Sequence, residues 1–510
     1  MNASQVIAHE LKRLGVRHAF GMPGGDALPL LDALLDVGIE FVLVRHEGSA
    51  GFMADAAAQL TGAPGVCIST LGPGMTNLVS GLSGCLLDRA PVVAITGQVS
   101  EQLVNVYTHQ TLDQKAILAS VVKRYVTLSA QNAWREVALT LRHLHLGRPG
   151  PVLLNLPGDV ARAEQSAVFE ESWPVQKPAG PVQPITGARP VVLAGLAALH
   201  AGLDLERLQM PVLTTYKGKG LIDERSPWYA GSFGLSTTAD AVHKRLVERA
   251  DSVIAVGLDP VELRPQWLPG WPADKPVHVF DDDPPHDLTA AIATAQGLQN
   301  LGSVTPSTGW SEGEVADHRA AWRSLFEEDT FGPATAIRAI QAGLPPDAVV
   351  ALDVGAHRIT ASHVWQSERP NELLQSNGLS SMGYGLPAAL AAKLSLPDRV
   401  CVSLTGDAGL WMALGELGIA QERGLDLVCV FLADNSLALI EHKQRRMKLR
   451  RTGVRFENPD ILALASAFGG TGHVCVNAEQ ATHAVRDAVA QGGLHLVEVR
   501  IDEEPYARQV

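Results

Sequence analysis

Short apolar runs alternate with helix-like segments from the beginning of the chain. Three runs predict buried strands: 41–45, 65–70 and 91–96. The segments between these runs space their apolar residues as helices do and predict two helices: 47–62 and 74–87. This alternation is typical of a parallel sheet that is covered by helices on both faces.

The same alternation returns twice farther along the chain. A second group of apolar runs covers 190–195, 211–220, 252–258 and 276–283, and a third covers 347–354, 399–407 and 425–434. The proline-rich stretch 173–190 has no period and predicts a linker. We therefore expect an α/β protein of three doubly wound domains with mostly parallel sheets: 1–165, 187–310 and 330–510.

Composition excludes several classes of protein. The chain has 510 residues and a formal net charge of −13, which argues against a nucleic-acid partner because phosphate backbones require a basic surface. The five cysteines show no Cys-x-x-Cys spacing and predict buried thiols without disulfides. No apolar run reaches the roughly 18 residues that a membrane span needs. We expect a cytoplasmic enzyme or binding protein with neither a nucleic-acid nor a membrane partner.

Two aspartates follow neighbouring predicted strands. The sequence LTGDAGLWM at 404–412 places Asp407 between a strand and a helix, and Asp434 follows the next apolar run. One explanation is structural, because aspartates cap helix starts and turns. The other is an ion site, because adjacent parallel strands lie about 5 Å apart and would bring both carboxylates to one Mg²⁺.

The spacing of these two segments decides between the explanations. GDA at 406–408 and ADN at 433–435 together resemble the cofactor motif of thiamine-diphosphate enzymes. The resemblance extends over nearly the whole chain, and the chain is similar to the acetolactate synthase group of 2-oxo acid decarboxylases and carboligases. It implies that the side chains of Asp407 and Asp434 and the backbone carbonyl of Ser436 bind Mg²⁺ against the diphosphate. The family usually has Asn-Asn where this chain has Ala-Asp, so the metal site carries an extra carboxylate.

A third carboxylate is expected to serve the other end of the cofactor. The sequence VRHEGSAGFMADA at 44–56 places Glu47 at the start of a predicted helix, where the helix dipole alone could account for it. The segment resembles the one that carries the family's catalytic glutamate, which hydrogen-bonds N1′ of the aminopyrimidine ring. In 377–389, Met382 matches the bulky apolar residue that holds the cofactor bent, with a core methionine as the alternative.

Other positions carry over from the same resemblance. GMPGG at 21–25 resembles the glycine loop beside the reacting carbon, which assigns Gly25 to catalysis. Gln110 is predicted to contact the substrate. The remaining predicted cofactor-binding residues are Pro23, Gly24, Asn77, Gly355, Ala356, His357, Ser381, Gly406, Ala408 and Gly409. At Ala356 the family's usual glutamine, a side-chain donor, is missing.

The resemblance implies an enzyme that decarboxylates a 2-oxo acid and adds the remaining fragment to a second carbonyl compound. The alternatives are a simple decarboxylase and a catalytically silent homologue that binds the cofactor. The N-terminal domain would bind the pyrimidine ring, and the C-terminal domain would bind the diphosphate with Mg²⁺. The central domain would bind another ligand or none. Active sites of the family lie between subunits, so we expect a homodimer or homotetramer.

Two regions leave alternatives open. Biosynthetic acetolactate synthases bind FAD in the central domain, but the sequence after residue 194 lacks the usual glycine cluster, so we expect no flavin. The run HKQRRMKLRR at 442–451 contains six cations. It predicts either a solvated or interface helix or a gate for an anionic substrate.

Overall fold

The computed structural model describes residues 1–104, 106–164, 184–268, 274–283 and 295–510. Residues 173–183 of the predicted linker lie outside this part of the chain. The described residues form three parallel sheets, which confirms the predicted α/β class and the predicted three-domain fold. None of the described helices combines the length and the apolar character that crossing a bilayer requires.

The first sheet contains six parallel strands in the order β2-β1-β3-β4-β6-β5. Its strands are β1 (His18–Met22), β2 (Glu40–Leu43), β3 (Gly65–Ser69), β4 (Val92–Gln98), β5 (Arg124–Thr127) and β6 (Val152–Pro157). Its helices are α1 (Ala3–Arg13), α2 (Leu28–Asp36), α3 (Glu47–Thr61), α4 (Pro73–Leu87), α5 (Gln114–Leu118) and α6 (Ala133–Arg142). Strands β3 and β6 are buried along their whole length, as helices on both faces of a sheet require.

The second sheet contains five parallel strands in the order β11-β10-β7-β8-β9. Its strands are β7 (Pro190–Ala194), β8 (Val212–Thr215), β9 (Tyr229–Phe233), β10 (Ser252–Val256) and β11 (Val277–Phe280). Helices α7 (Thr237–Arg249) and α8 (Glu312–Arg323) accompany it. The chain proceeds outward from β7 in one direction and then returns to β10 on its other side. The strand order therefore reverses between β7 and β10.

The third sheet contains six strands in the order β13-β12-β14-β15-β17-β16. They are β12 (Val349–Leu352), β13 (Leu373–Gln375), β14 (Cys401–Gly406), β15 (Leu427–Ala433), β16 (Thr471–Cys475) and β17 (Leu494–Arg500). The helices of this region are α9 (Pro333–Ala342), α10 (Ala356–Val364), α11 (Gly385–Ser395), α12 (Asp407–Ala413), α13 (Leu417–Arg423), α14 (Ala438–Arg446), α15 (Ile461–Ala467), α16 (Ala478–Gln491) and α17 (Tyr506–Gln509).

The chain divides into two compact units. The first unit holds the first sheet together with two later segments, Gly378–Cys401 and Trp411–Leu427, so that α11 packs on α3 within it. The second unit holds the other two sheets. The five cysteines are all buried and form no disulfide, as predicted.

Candidate active site

Asp407 and Asp434 lie at the carboxyl ends of neighbouring strands in the second unit. Strands β14 and β15 are parallel neighbours in the register Gly406 to Leu432, so the prediction that these strands are adjacent is confirmed. Asp407 Oδ1 accepts a hydrogen bond from the amide of Ala408 at 2.8 Å, and Oδ2 accepts one from the amide of Asn435 at 2.8 Å. Asp407 therefore binds the first amide that follows it in its own helix and ties the end of β15 to that helix.

Asp434 is held in a tight turn beside Asp407. Its Oδ1 accepts hydrogen bonds from the backbone amide and the hydroxyl of Ser436, at 2.9 Å and 2.8 Å. Burial, together with the nearby charge of Asp407, raises the pKa of Asp434 to about 7. Asp407 is buried and Asp434 is half-buried, and two such carboxylates that repel each other form a site at which a cation would relieve the repulsion.

Asn458 belongs to the same network and has no counterpart among the sequence predictions. Its side-chain nitrogen donates to Asp407 Oδ2 at 3.2 Å and to Asn435 Oδ1 at 2.8 Å. Arg455 donates to the backbone oxygen of Asp434 at 3.1 Å. Both residues lie in the loop before α15, where no local pattern distinguishes them, so only the fold reveals their position. Asn458 thus holds the side chain of Asp407, and Arg455 holds the backbone of Asp434.

A cavity of about 540 Å³ opens beside this network. Its lining includes Asp434, Asn435, Glu457, Asn458, Glu498 and Arg500. Among the described residues, no group of three His, Cys, Asp or Glu side chains converges on one point. A cation held by Asp407 and Asp434 would therefore complete its coordination with backbone oxygens, water or ligand oxygens, which is how proteins commonly hold Mg²⁺.

His357 lies over the start of α12 and gives an independent test of ligand fit. The histidine is 5% exposed, and its Nε2 has no hydrogen-bond partner within the described part of the chain. Burial, and then the charge of Arg358, lowers the pKa of His357 to about 3. A Cβ on Gly355 would lie 2.6 Å from the imidazole ring, so a side chain there would force the ring to move. One on Gly406 would lie 3.1 Å from the ring, which is a tight contact. An unpartnered buried nitrogen marks a position at which a polar group of a ligand would complete the hydrogen bonding of the imidazole.

The first turn of α12 packs on a further buried carboxylate, Asp353. Thr405 Oγ1 donates to Asp353 Oδ2 at 2.9 Å, and a Cβ on Gly409 would lie 1.8 Å from the same oxygen. Glycine at 409 is therefore a steric requirement of this turn. The structure thus brings the following predicted residues together in the second unit: Gly355, Ala356, His357, Gly406, Asp407, Ala408, Gly409, Asp434 and Ser436.

Glu47 forms the centre of the second set of predicted residues, in the first unit. It is the first residue of α3 and is 6% exposed. Its Oε2 accepts a hydrogen bond from Asn77 Nδ2 at 2.9 Å, so the structure pairs two residues that the sequence assigned separately. A Cβ on Gly74 would lie 3.1 Å from Oε1 of Glu47. The glycine at position 74 therefore leaves space beside this oxygen.

Glu416 fixes the strand-to-helix turn that presents Glu47. Its carboxylate accepts the backbone amides of Arg45 and His46, each at 3.0 Å. His46 Nδ1 in turn accepts the amide of Gly48 at 3.0 Å and caps α3. Glu416 is 1% exposed, and burial raises its pKa. Sequence reasoning missed this residue because its partners are some 370 positions away.

The remaining predicted residues of the first unit lie in loops. Asp26, which was not predicted, accepts hydrogen bonds from Thr70 Oγ1 at 2.9 Å and from the amide of Leu71 at 3.2 Å, and so holds the loop of Pro23, Gly24 and Gly25. Gln110 is exposed, has a φ of +57° and packs its backbone against Gly72, outside the Glu47–Asn77 pair. Ser381 and Met382 are half-buried in the segment that leads into α11.

The comparisons with known proteins cover nearly all of the chain. Residues 1–117 match the thiamine pyrophosphate enzyme N-terminal TPP binding domain, residues 186–298 the central domain, and residues 353–499 the C-terminal TPP binding domain. The chain is 32% identical to the acetolactate synthase isozyme 2 large subunit of Escherichia coli over 99% of its own length and 96% of that protein. It is also 28% identical to the acetolactate synthase of Bacillus subtilis, over 98% and 93% of the two chains.

Proposed function

The chain belongs to the thiamine pyrophosphate enzyme family, and from this premise we propose that it is an acetolactate synthase-like carboligase. It decarboxylates a 2-oxo acid and joins the remaining fragment to a second carbonyl compound. The observation that carries the proposal is the pair of buried Asp407 and half-buried Asp434 at the ends of two adjacent strands. A non-ligating decarboxylase and a silent homologue are not favoured by the acetolactate synthases that resemble the chain over its whole length.

The oxygen donors of the second unit fit Mg²⁺ and a diphosphate. The carboxylates of Asp407 and Asp434 and the backbone carbonyl of Ser436 would hold the metal, because hard divalent cations prefer oxygen ligands. The amides at the start of α12 would donate to the diphosphate oxygens, and His357 would lie beside them. The surrounding positions that would lie against the diphosphate are Gly355, Ala356, Gly406, Ala408 and Gly409.

The residues of the first unit would manage protons and position the reacting groups. Bound thiamine diphosphate supplies an electron sink for the electron pair that decarboxylation releases. Glu47 would hold a proton against N1′ of the aminopyrimidine ring, and the hydrogen bond from Asn77 keeps its carboxylate oriented for that role. Met382 would support the bent cofactor. Gly25 and Gln110 would face the substrate, and Pro23, Gly24 and Ser381 would line the cofactor.

We assign the active form to a homodimer or homotetramer with active sites at the subunit interface. In this arrangement Glu47 of one subunit serves the cofactor whose metal is bound by Asp407 of another. A cytoplasmic location is part of the same proposal. The acidic net charge of −13 is compatible with an anionic cofactor, because the metal and the helix dipoles provide the positive potential.

Product analysis with pyruvate tests the proposed function. The enzyme is incubated with pyruvate, with and without thiamine diphosphate and Mg²⁺, and CO₂ and the carbon products are measured. We expect acetolactate that depends on both additions. Acetaldehyde as the sole product would identify the protein as a decarboxylase and contradict the proposed carboligase activity. The absence of CO₂ release across a panel of 2-oxo acids would identify it as a silent homologue.

A further inference from the structure

The strand order of the central sheet reverses at the position where doubly wound domains bind nucleotides. Ligands of such sheets lie beyond the carboxyl ends of the strands, at the point where the strand order reverses. In this chain that point lies between β7 and β10. The turn after β7, Leu196–Ala198, provides the backbone amides that would face a bound phosphate.

Each of these amides already has a partner in the protein. Leu196 donates to the carboxylate of Glu262 at 2.9 Å. The amides of Gly195 and Ala197 donate to backbone oxygens of Val256 and Gly257, both at 2.9 Å, and the amide of Ala198 donates to Gly195 at 3.0 Å. No donor of this turn is left for a phosphate.

Glu262 also fills the space that a phosphate would need. It ends the turn Pro260–Glu262 after β10 and is 1% exposed. A Cβ on Gly195 would lie 3.0 Å from its Oε2, so the backbone of this turn is in close contact with the carboxylate. A second acid, Asp259, is fully buried in the same turn.

The loop after β7 and the loop after β10 touch each other. Gly257 has a φ of +57°, and a Cβ there would lie 2.5 Å from the backbone nitrogen of Ala198. Burial raises the pKa of Glu262 to about 7 despite the opposing hydrogen bond from Leu196 and the charge of Lys217. Two buried acids at this point would repel the phosphates of a flavin nucleotide.

We infer that the carboxylate of Glu262 occupies the phosphate position of the central domain, and that the enzyme therefore holds no FAD. The resemblance to acetolactate synthases suggests FAD as a cofactor of this domain. The residues present do not fit FAD. The inference concerns the central domain alone and stands independently of the proposed carboligase activity.

Flavin content and flavin binding test the inference directly. The full-length protein is purified from cells, its visible absorbance is recorded for flavin, and its melting temperature is measured with and without added FAD. We expect no flavin absorbance, no change in melting temperature and no quenching of FAD fluorescence. Flavin that copurifies in proportion to protein, or saturable quenching, overturns the inference. Acetolactate formation is assayed separately, so a failure of the proposed function leaves this result readable.

A pair of variants tests the assigned role of Glu262. Glu262→Ala vacates the position and frees the amide of Leu196, whereas Glu262→Gln keeps an oxygen acceptor there. With inorganic phosphate as the probe and chloride at equal ionic strength as the control, we expect a rise in melting temperature for Glu262→Ala only. A folded Glu262→Ala protein that gains no response to phosphate contradicts the role. If that variant does not fold, the flavin measurements on the wild-type protein still decide the inference.

Discussion

The side-chain nitrogen of Asn458 lies 3.2 Å from Oδ2 of Asp407 and 2.8 Å from the side-chain oxygen of Asn435. One amide group thus connects the start of α12 with the end of β15. Groups that orient metal ligands in this way typically change metal affinity about 10- to 100-fold when they are removed. Asn458 therefore acts on the proposed metal site although it is not itself a ligand.

We expect Asn458→Ala to weaken Mg²⁺ binding about 10-fold, because Asp407 loses an orienting donor. Mg²⁺ is titrated in the presence of thiamine diphosphate, and binding is followed by intrinsic fluorescence. Asn477→Ala is the matched control. Asn477 caps α16, where it accepts a hydrogen bond from the amide of Gln480 at 2.9 Å, and it does not belong to the proposed metal site. An unchanged Mg²⁺ affinity in Asn458→Ala would remove Asn458 from the proposed metal site.

Asp434 should make metal binding strongly dependent on pH. Its pKa is raised to about 7, mainly by burial, so protons compete with Mg²⁺ for this carboxylate as the pH falls below 7. We expect Mg²⁺ affinity to fall between pH 8 and pH 6. In Asp434→Asn, which removes the titrating group, this dependence should be flatter.

The same variant should be more stable than the wild type when no metal is bound. A carboxyl whose pKa is raised in the folded state destabilises that state increasingly as the pH rises from its unfolded value of about 4 towards 7. Asp434→Asn removes this charge, so its metal-free melting temperature at pH 8 should exceed that of the wild type. An equal or lower value would show that the burial of the Asp434 charge and its repulsion from Asp407 are together not a significant cost.

Of the strands that the sequence predicted, β3 and β4 are buried on both faces. The prediction of a buried strand at 41–45 is wrong in its burial, because β2 lies at the edge of its sheet and is partly exposed. Strands β3 and β4 appear in the sequence as continuous apolar runs because helices cover them on both sides. Strands β5 and β16 were missed because each lies at the edge of its sheet and is half exposed, so neither carries an apolar run. Edge position is a property of the assembled sheet, which a local pattern does not record.

The residues of the candidate site also fall into those that the sequence predicted and those that it did not. Asp407 and Asp434 could be found because a motif places both at strand ends. Asn458 and Glu416 could not, because their contacts are with residues far away in the sequence and neither belongs to a recognisable pattern. The groups predicted to touch the ligand were thus visible in the sequence, whereas groups that orient them became visible only through the fold.

Glu47→Gln tests the catalytic acid. The amide cannot share a proton as a carboxyl does, so we expect kcat to fall about 100-fold or more while the fold is retained. Asp55→Asn is the matched control, because Asp55 is another buried acid of α3 and accepts a hydrogen bond from Gln59 at 2.7 Å. That control should affect the melting temperature more than kcat. Wild-type activity in Glu47→Gln would refute the role.

A buried histidine pair in the second unit should limit stability in acid. His243 Nδ1 lies 3.1 Å from His318 Nε2, and burial lowers the pKa of His318 to about 4. The unfolded chain takes up this proton first, so stability is complete above about pH 6.5 and is lost as the pH falls towards 4. The loss attributable to His318 at pH 5 is about 2 kcal/mol. Melting temperatures of His318→Gln should depend less on pH over this range, whereas exposed His9→Gln should behave as the wild type.

Mixing two inactive variants tests whether Glu47 and Asp407 act from different subunits. Glu47→Gln and Asp407→Ala are each expected to be inactive as homodimers. In a mixed dimer with shared sites, one site collects both substitutions and the other has both native residues. Random mixing therefore restores about a quarter of the wild-type sites.

The outcome depends only on which chain supplies each residue. The two variants are unfolded and refolded together, or coexpressed, and acetolactate formation is compared with that of each variant treated alone. If both residues of a site came from one chain, every site would keep one defect and no activity would return. Mixed dimers are confirmed by a tag on one variant, so that inactivity with mixed dimers present would exclude the shared site. Activity in the mixture alone would assign the two carboxylates to opposite subunits.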